Sequence, residues 1–280
     1  MSTRINHNIL SLTAQRTLHA TQSRMENAVE RLSSGLRINY SWDDPAGLAV
    51  SERFRAQIAS MVEAERNANY DMNLLATAEG ALSALDHKLV RMRALAIESA
   101  NGALLDKDRE ALDLEFQQLK SEVTRIANVT NYAGLKLLDG SYSATNPNGI
   151  KFHIGSNNIF NEDYYYVRIG AMNARSLGLT DNNLLNTAAA QATLDTIDIA
   201  IQSKDGERAR LGAYYNRLQN TVQNLQVSRE RASASESQVR DADIAAEMSE
   251  FVRSQILMQS GVAMLSQANM LPQIVAELIG

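Results

Sequence analysis

Residues 190–239 read AQATLDTIDIAIQSKDGERARLGAYYNRLQNTVQNLQVSRERASASESQV, and this stretch decides the fold. From Ala190, apolar or small residues return at Leu194, Ile197, Ile201, Leu211, Tyr215, Leu218, Val222, Leu225, Ala232 and Val239 in one unbroken four-three alternation. Lys204, Arg208, Arg229 and Glu236 hold the remaining places of that register. A seven-residue repeat sustained over such a length marks a coiled-coil helix, because 3.5 residues per turn keeps one stripe facing a partner. At 1.5 Å per residue the helix would be about 75 Å long, several times the usual globular length.

The same pattern extends outward. Ile244, Met248, Phe251, Met258, Val262 and Leu265 continue it as far as Pro272. In the first half, Leu18, Met25, Val29, Leu32 and Leu36 form one amphipathic run. Phe54, Ile58, Met61, Ala68, Met72, Leu75, Leu82, Leu85, Leu89 and Met92 form a second, with Glu65 and Glu79 in its polar places. The successive three-residue steps 79 to 82 to 85 would overwind a coiled coil locally. Leu112, Phe116, Leu119, Val123 and Ile126 form a third run. Only the middle changes period: residues 131–180 carry the turn Asn146-Pro-Asn-Gly149 and alternating Ile150, Phe152, Ile154 and Tyr165, Val167, Ile169, which predict short paired strands. The expected fold class is therefore mainly α, a long antiparallel coiled-coil helical bundle with a small β-hairpin region in the middle of the chain.

Composition agrees and narrows the function. Proline is only 3 of 280 residues and aromatics 5%, so helices go unbroken and the core is thin. No cysteine is present, which excludes disulfides, thiol nucleophiles and thiolate metal sites. A net charge of −5 gives no electrostatic footprint for nucleic acid. No apolar run reaches the roughly 20 residues a membrane span needs, and the N-terminus lacks the pattern of a cleaved signal peptide, so any export is expected by another route. His7, His19, His87 and His153 lie on separate segments without a second ligand at metal spacing, and no glycine-rich phosphate loop follows a strand. Neither catalysis nor a cofactor is expected. The Asn128-Val-Thr130 sequon falls inside a helical pattern and is read as incidental.

Both ends carry apolar stripes that two short helices alone cannot fully bury, so further copies of the chain are the natural partners. The ends also differ in sign. Residues 1–35 hold four arginines and two glutamates, net +2; residues 241–280 hold five carboxylates and Arg253, net −4. Asp43 and Asp44, ahead of Pro45, are expected to cap the following helix, and Gly35 to end the first.

Two long motifs carry a resemblance. Ala28-Val-Glu-Arg-Leu-Ser-Ser-Gly-Leu-Arg-Ile-Asn39, then Asp43-Asp44-Pro-Ala-Gly-Leu-Ala49 and Arg66-Asn-Ala-Asn69, resemble the N-terminal signature of bacterial flagellins. Ser254 to Gln273, SQILMQSGVAMLSQANMLPQ, resembles their C-terminal signature. The resemblance implies a subunit of the flagellar filament, exported unfolded, that polymerises extracellularly as its disordered ends become helices. It implies a terminal inner-tube coiled coil from residues 1–42 plus 241–280, a helical bundle from 43–240 with its β region at 131–180, and no variable outer domains. The assembly interface is expected at Leu18, Met25, Val29, Leu32, Met248, Phe251, Met258, Val262 and Leu265. Implied partners are other copies of the chain, the flagellar export apparatus, an export chaperone, the filament cap and hook–filament junction proteins. An animal Toll-like receptor is implied at Arg91, Leu95 and Glu115. Trp42 and Pro45 depart from the pattern, standing in a connector where relatives often carry small or polar residues. The rival readings are a hook–filament junction protein and a secreted helical binding module that never polymerises.

Overall fold

The computed structural model describes residues 7–143 and 149–279. Its elements in chain order are α1 (Ile9–Ser34), α2 (Pro45–Ser99), α3 (Asp106–Val129), β1 (Asn131–Tyr132), β2 (Leu135–Lys136), β3 (Ile150–His153), β4 (Tyr164–Val167), α4 (Thr187–Arg240) and α5 (Ile244–Ile279). The long repeat is one helix of 54 residues, α4, and α2 has 55. Residues Met1–Gln57 with Arg231–Gly280 form one compact unit and Ile58–Glu230 a second.

In the unit 58–230, segments of α2 and α4 run antiparallel beside α3 and the strands, around a core that includes Leu82, Leu89, Met92, Phe116, Val123 and Leu218. The alternating segments form the strands β3 and β4, which pair antiparallel with Phe152 opposite Tyr165. Phe152, Tyr165 and Val167 turn into the core. A second hairpin, β1–β2, closes on Ala133 and Gly134, both at positive φ, the geometry of a two-residue primed turn. Two-residue strands are too short to show a period, so the sequence pattern gave no warning of it. The expected Asn146–Gly149 turn falls mostly on residues 144–148, outside the described residues.

The polar residues of the long repeat find partners on α2. Lys204, buried, is held by Asp86 and by Asp205 beside it, and its hydrogen bond keeps the Asp86 carboxyl below the usual carboxylate range. Arg208 donates to Glu79 at 2.6 Å, Arg229 to Glu65 at 2.9 Å, and Arg93 of α2 to Asp198 at 2.7 Å. Partly exposed pairs of this kind contribute only about 0–1 kcal/mol each, so their main effect is on register.

Asp71 of α2 is the exception to this pairing. Its Oδ2 is buried with no hydrogen-bond partner, and burial pushes its pKa up to about 7. The nearby Tyr165 hydroxyl is also buried and unpartnered, and burial raises it to about 12, while the Arg217 guanidinium lies 4.0 Å over the Tyr165 ring. A carboxyl whose folded pKa exceeds its ordinary 3.8 gives stability that is complete below that value and lost as pH rises through about 7. The urea midpoint of the full chain should therefore fall between pH 5 and pH 8, and Asp71→Asn should remove much of that fall. An unchanged pH profile in the variant would show that Asp71 ionises freely in the folded chain.

Candidate assembly interface

The unit of 1–57 and 231–280 is built on the antiparallel pair α1 and α5. Asn8 caps α1, its Oδ1 accepting from the Ser11 backbone N–H at 3.0 Å. Gly35 ends the helix at φ 72°, in the left-handed cap that the sequence suggests, and its carbonyl accepts from Ala242 N–H at 3.0 Å. Leu36 and Asp241 form an isolated bridge beside this bond. The two aspartates have separate tasks. Asp44 caps α2 through Gly47 N–H at 2.9 Å, whereas Asp43 turns back to accept from the backbone N–H groups of Asn39 and Tyr40.

The α1–α5 seam follows a strict heptad on both helices. On α1 the inward positions are Ser11, Ala14, Leu18, Thr21, Met25, Ala28 and Leu32; on α5 they are Glu247, Phe251, Ser254, Met258, Gly261, Leu265 and Ala268. Large residues alternate with small ones, so a side chain of one helix enters a gap in the other. A Cβ added at Gly261 would lie 2.8 Å from Leu18 Cδ2, which makes Gly261 the hole for the Leu18 knob. Arg31 pairs with Glu247 at 3.0 Å in this seam.

Helix α5 does not stop at Pro272 but continues to Ile279. Proline has no N–H to bond the carbonyl four residues back, which leaves the Ala268 oxygen without its helical donor. The Asn8 side-chain amide supplies that donor at 2.8 Å. One residue thus caps α1 and satisfies the carbonyl that the proline frees.

The nine residues expected at the assembly interface divide into two sets. Leu18, Met25, Leu32, Phe251, Met258 and Leu265 are half-buried and meet in the seam within one chain. Val29 (46% exposed), Met248 (45%) and Val262 (56%) lie outside it at the surface. They belong to broader apolar faces: Ile9, Leu10 and Leu12 on α1, and Val252, Ile256, Leu257 and Met264 on α5, are also exposed. The small seam residues Thr21, Ala28, Ser254 and Gly261 escape a search for large apolar residues, although a search for any seven-residue spacing would find them.

Of the three residues at the implied receptor patch, Arg91 and Glu115 form a two-armed ion pair at 2.7 and 2.9 Å on the surface of the unit 58–230. Leu95 is fully buried and packs in the core, so the folded surface does not present it. Among the described residues no cluster of His, Asp or Glu is placed to hold a metal ion, and no helix is long and apolar enough to cross a membrane.

Two family models match the chain: the bacterial flagellin N-terminal helical region over residues 5–143 and the C-terminal helical region over 194–279. A flagellin of Halalkalibacterium halodurans is 39% identical over 277 residues, 98% of this chain and 99% of that one. The chain belongs to the bacterial flagellins. Flagellin FlaB1 of Treponema pallidum is 40% identical over 276 residues, 95% of this flagellin and 96% of that chain. A putative flagellar hook-associated protein from Vibrio parahaemolyticus shares the fold at a TM-score of 0.57 and 17% identity, with 71% of this chain and 100% of that one covered. Both of the nearly full-length relatives named above are flagellins.

Because this flagellin has no cysteine, the seam register can be tested by cross-linking. Leu18→Cys with Gly261→Cys should close an intramolecular disulfide on mild oxidation, whereas Val29→Cys with Gly261→Cys should not. Failure of the first pair, or equal yield from both, would overturn this register.

Proposed function

We propose that this flagellin is a structural subunit of the bacterial flagellar filament, which self-assembles outside the cell and performs no catalysis. The observation that carries the reading is that α1 and α5 pair with each other and still leave apolar faces at the surface around Val29, Met248 and Val262. A stripe left over after intramolecular pairing must be buried by other molecules, and copies of the same chain arranged in a helical polymer bury it repeatedly.

The mechanism is coupled folding and assembly. The ends gain helix as neighbouring copies cover their stripes, since nucleating an isolated helix is unfavourable and burial must offset it. A chain exported unfolded carries no disulfide to obstruct passage, which suits the lack of cysteine. The export apparatus, an export chaperone, the filament cap and the junction proteins are the partners this route requires. The near full-length similarity to flagellins favours the filament subunit over a junction protein, and the leftover apolar faces favour it over a binding module that stays monomeric.

Electron microscopy of the purified chain incubated with short filament seeds tests the reading. The full chain should extend the seeds, and a copy without residues 1–40 and 241–280 should not. Val262→Glu places a charge on the exposed α5 face, where it should block growth yet leave the thermal transition of the bundle unchanged. Filaments of normal length from that variant, or no growth from the parent chain, would refute the assignment.

The exposed Arg91–Glu115 pair supports a second role, as a surface recognised by an animal Toll-like receptor. Receptor signalling should be lost on Arg91→Ala while filaments still form; undiminished signalling would remove this pair from consideration.

A further inference from the structure

Trp42 is the only tryptophan of the chain and, at 74%, the most exposed large apolar side chain among the described residues. It is nevertheless held in place. Its ring stacks on Tyr40 with centroids 4.4 Å apart and planes 15° from parallel. The Tyr40 backbone is fixed in turn, because Asp43 Oδ2 accepts from its N–H at 2.9 Å, and the nearby Glu30 carboxylate raises the pKa of its hydroxyl. The two stacked rings form one broad aromatic surface, which is the character of an interface anchor.

This surface stands beside an open groove of about 660 Å³ on α1, whose apolar lining is Met25 and Val29 and whose charged lining is Glu26 and Glu30. Both charged residues of this lining are carboxylates, so the groove itself is acidic. Helix α5 lies in a segment of net charge −4, but one patch on it is of opposite kind. Met248, Val252, Ile256 and Leu257 form an exposed apolar face that also carries Arg253, the only cationic residue in 241–280. Within its own chain Arg253 has only a loose contact to Glu250, at 3.4 Å, and its side chain is largely exposed.

We infer that the acidic-edged groove beside Tyr40 and Trp42 receives the apolar, Arg253-bearing face of α5 from a second copy of the chain, with Trp42 as the anchor of that contact. The inference rests on the filament-subunit reading and assigns part of its interface. Local charge favours this occupant: an apolar patch that carries Arg253 matches an apolar groove lined by Glu26 and Glu30. In the monomer both surfaces stay open, and they become covered together on assembly.

The single tryptophan reports on the contact directly. In the monomer its emission should be that of an exposed indole and readily quenched by acrylamide. In seeded filaments of the full chain the emission should shift to shorter wavelength and the quenching fall. Trp42→Ala should raise the monomer concentration needed for growth about tenfold or more, with the thermal transition unchanged. The partner surface is read by mixing. Filaments grown from equal amounts of Ser41→Cys and Val252→Cys chains should yield covalent dimers with a short bis-maleimide, and filaments of either variant alone should yield few. Filaments in which Trp42 stays quenchable, or in which the mixed pair does not cross-link, overturn this inference and leave the filament reading standing. Absence of filaments overturns both. A tryptophan already shielded in the monomer would show that its own chain covers it and would also overturn the inference.

Discussion

Every long helix in this chain depends on an antiparallel partner to bury its stripe. Fifty-four residues of α4 make a helix that no local contact can cover, and its apolar positions are spread evenly along the whole length. Pairing at a seven-residue repeat solves this with one geometry repeated many times, since each turn meets the partner as the previous turn did. The cost is ambiguity, because a stripe of similar apolar residues fits its partner almost equally well after a slip of one heptad. The charged residues in the α2–α4 seam remove that ambiguity. Lys204 with Asp86, Arg208 with Glu79 and Arg229 with Glu65 are all satisfied at one register, and a slipped register would leave buried Lys204 without its Asp86 partner.

The α1–α5 pair meets the same constraint with different residues. Its seam contains little charge and many small side chains, so register is set by knobs and holes, above all Leu18 over Gly261. Glycine inside a helix weakens it by roughly 1 kcal/mol relative to alanine. Under the proposed coupling of folding to assembly, contacts with neighbouring copies would offset that loss. Asn8 adds a further tie between the two helices by donating to the carbonyl that Pro272 leaves free.

Much of this architecture was legible in the sequence, and the rest was set by packing that period does not report. Period alone located α4 within a few residues and marked β3 and β4 as short strands, although not their register. It also marked Lys204, Arg208 and Arg229 as seam positions, although not their partners. What period could not do was tell two apolar faces of one helix apart. Val29 is four residues from Met25 and three from Leu32, so it looks like a seam residue on either spacing, yet the true heptad passes through Ala28. Leu95 shows a second limit: a motif match names a position, and only packing shows that its side chain is buried. Asp71 gave no signal at all, because an aspartate on a helix is normally solvated and its burial, near Tyr165 of β4, comes from tertiary packing.

The division between seam and leftover face is itself the functional argument. A helix pair that had to be stable alone would place its large apolar residues in the seam and charges outside. Here Ala28, Thr21 and Gly261 occupy seam positions, and Val29, Val252, Ile256 and Val262 lie outside. At about 25 cal/mol per Å² of apolar surface buried, moving large side chains from seam to surface transfers binding energy from the monomer to its contacts with neighbours. Small residues in the seam also let the paired helices approach closely, so more of each apolar flank faces outward. A chain so arranged gains little from folding its ends alone and much from folding them against other copies, which is the balance a self-propagating subunit requires.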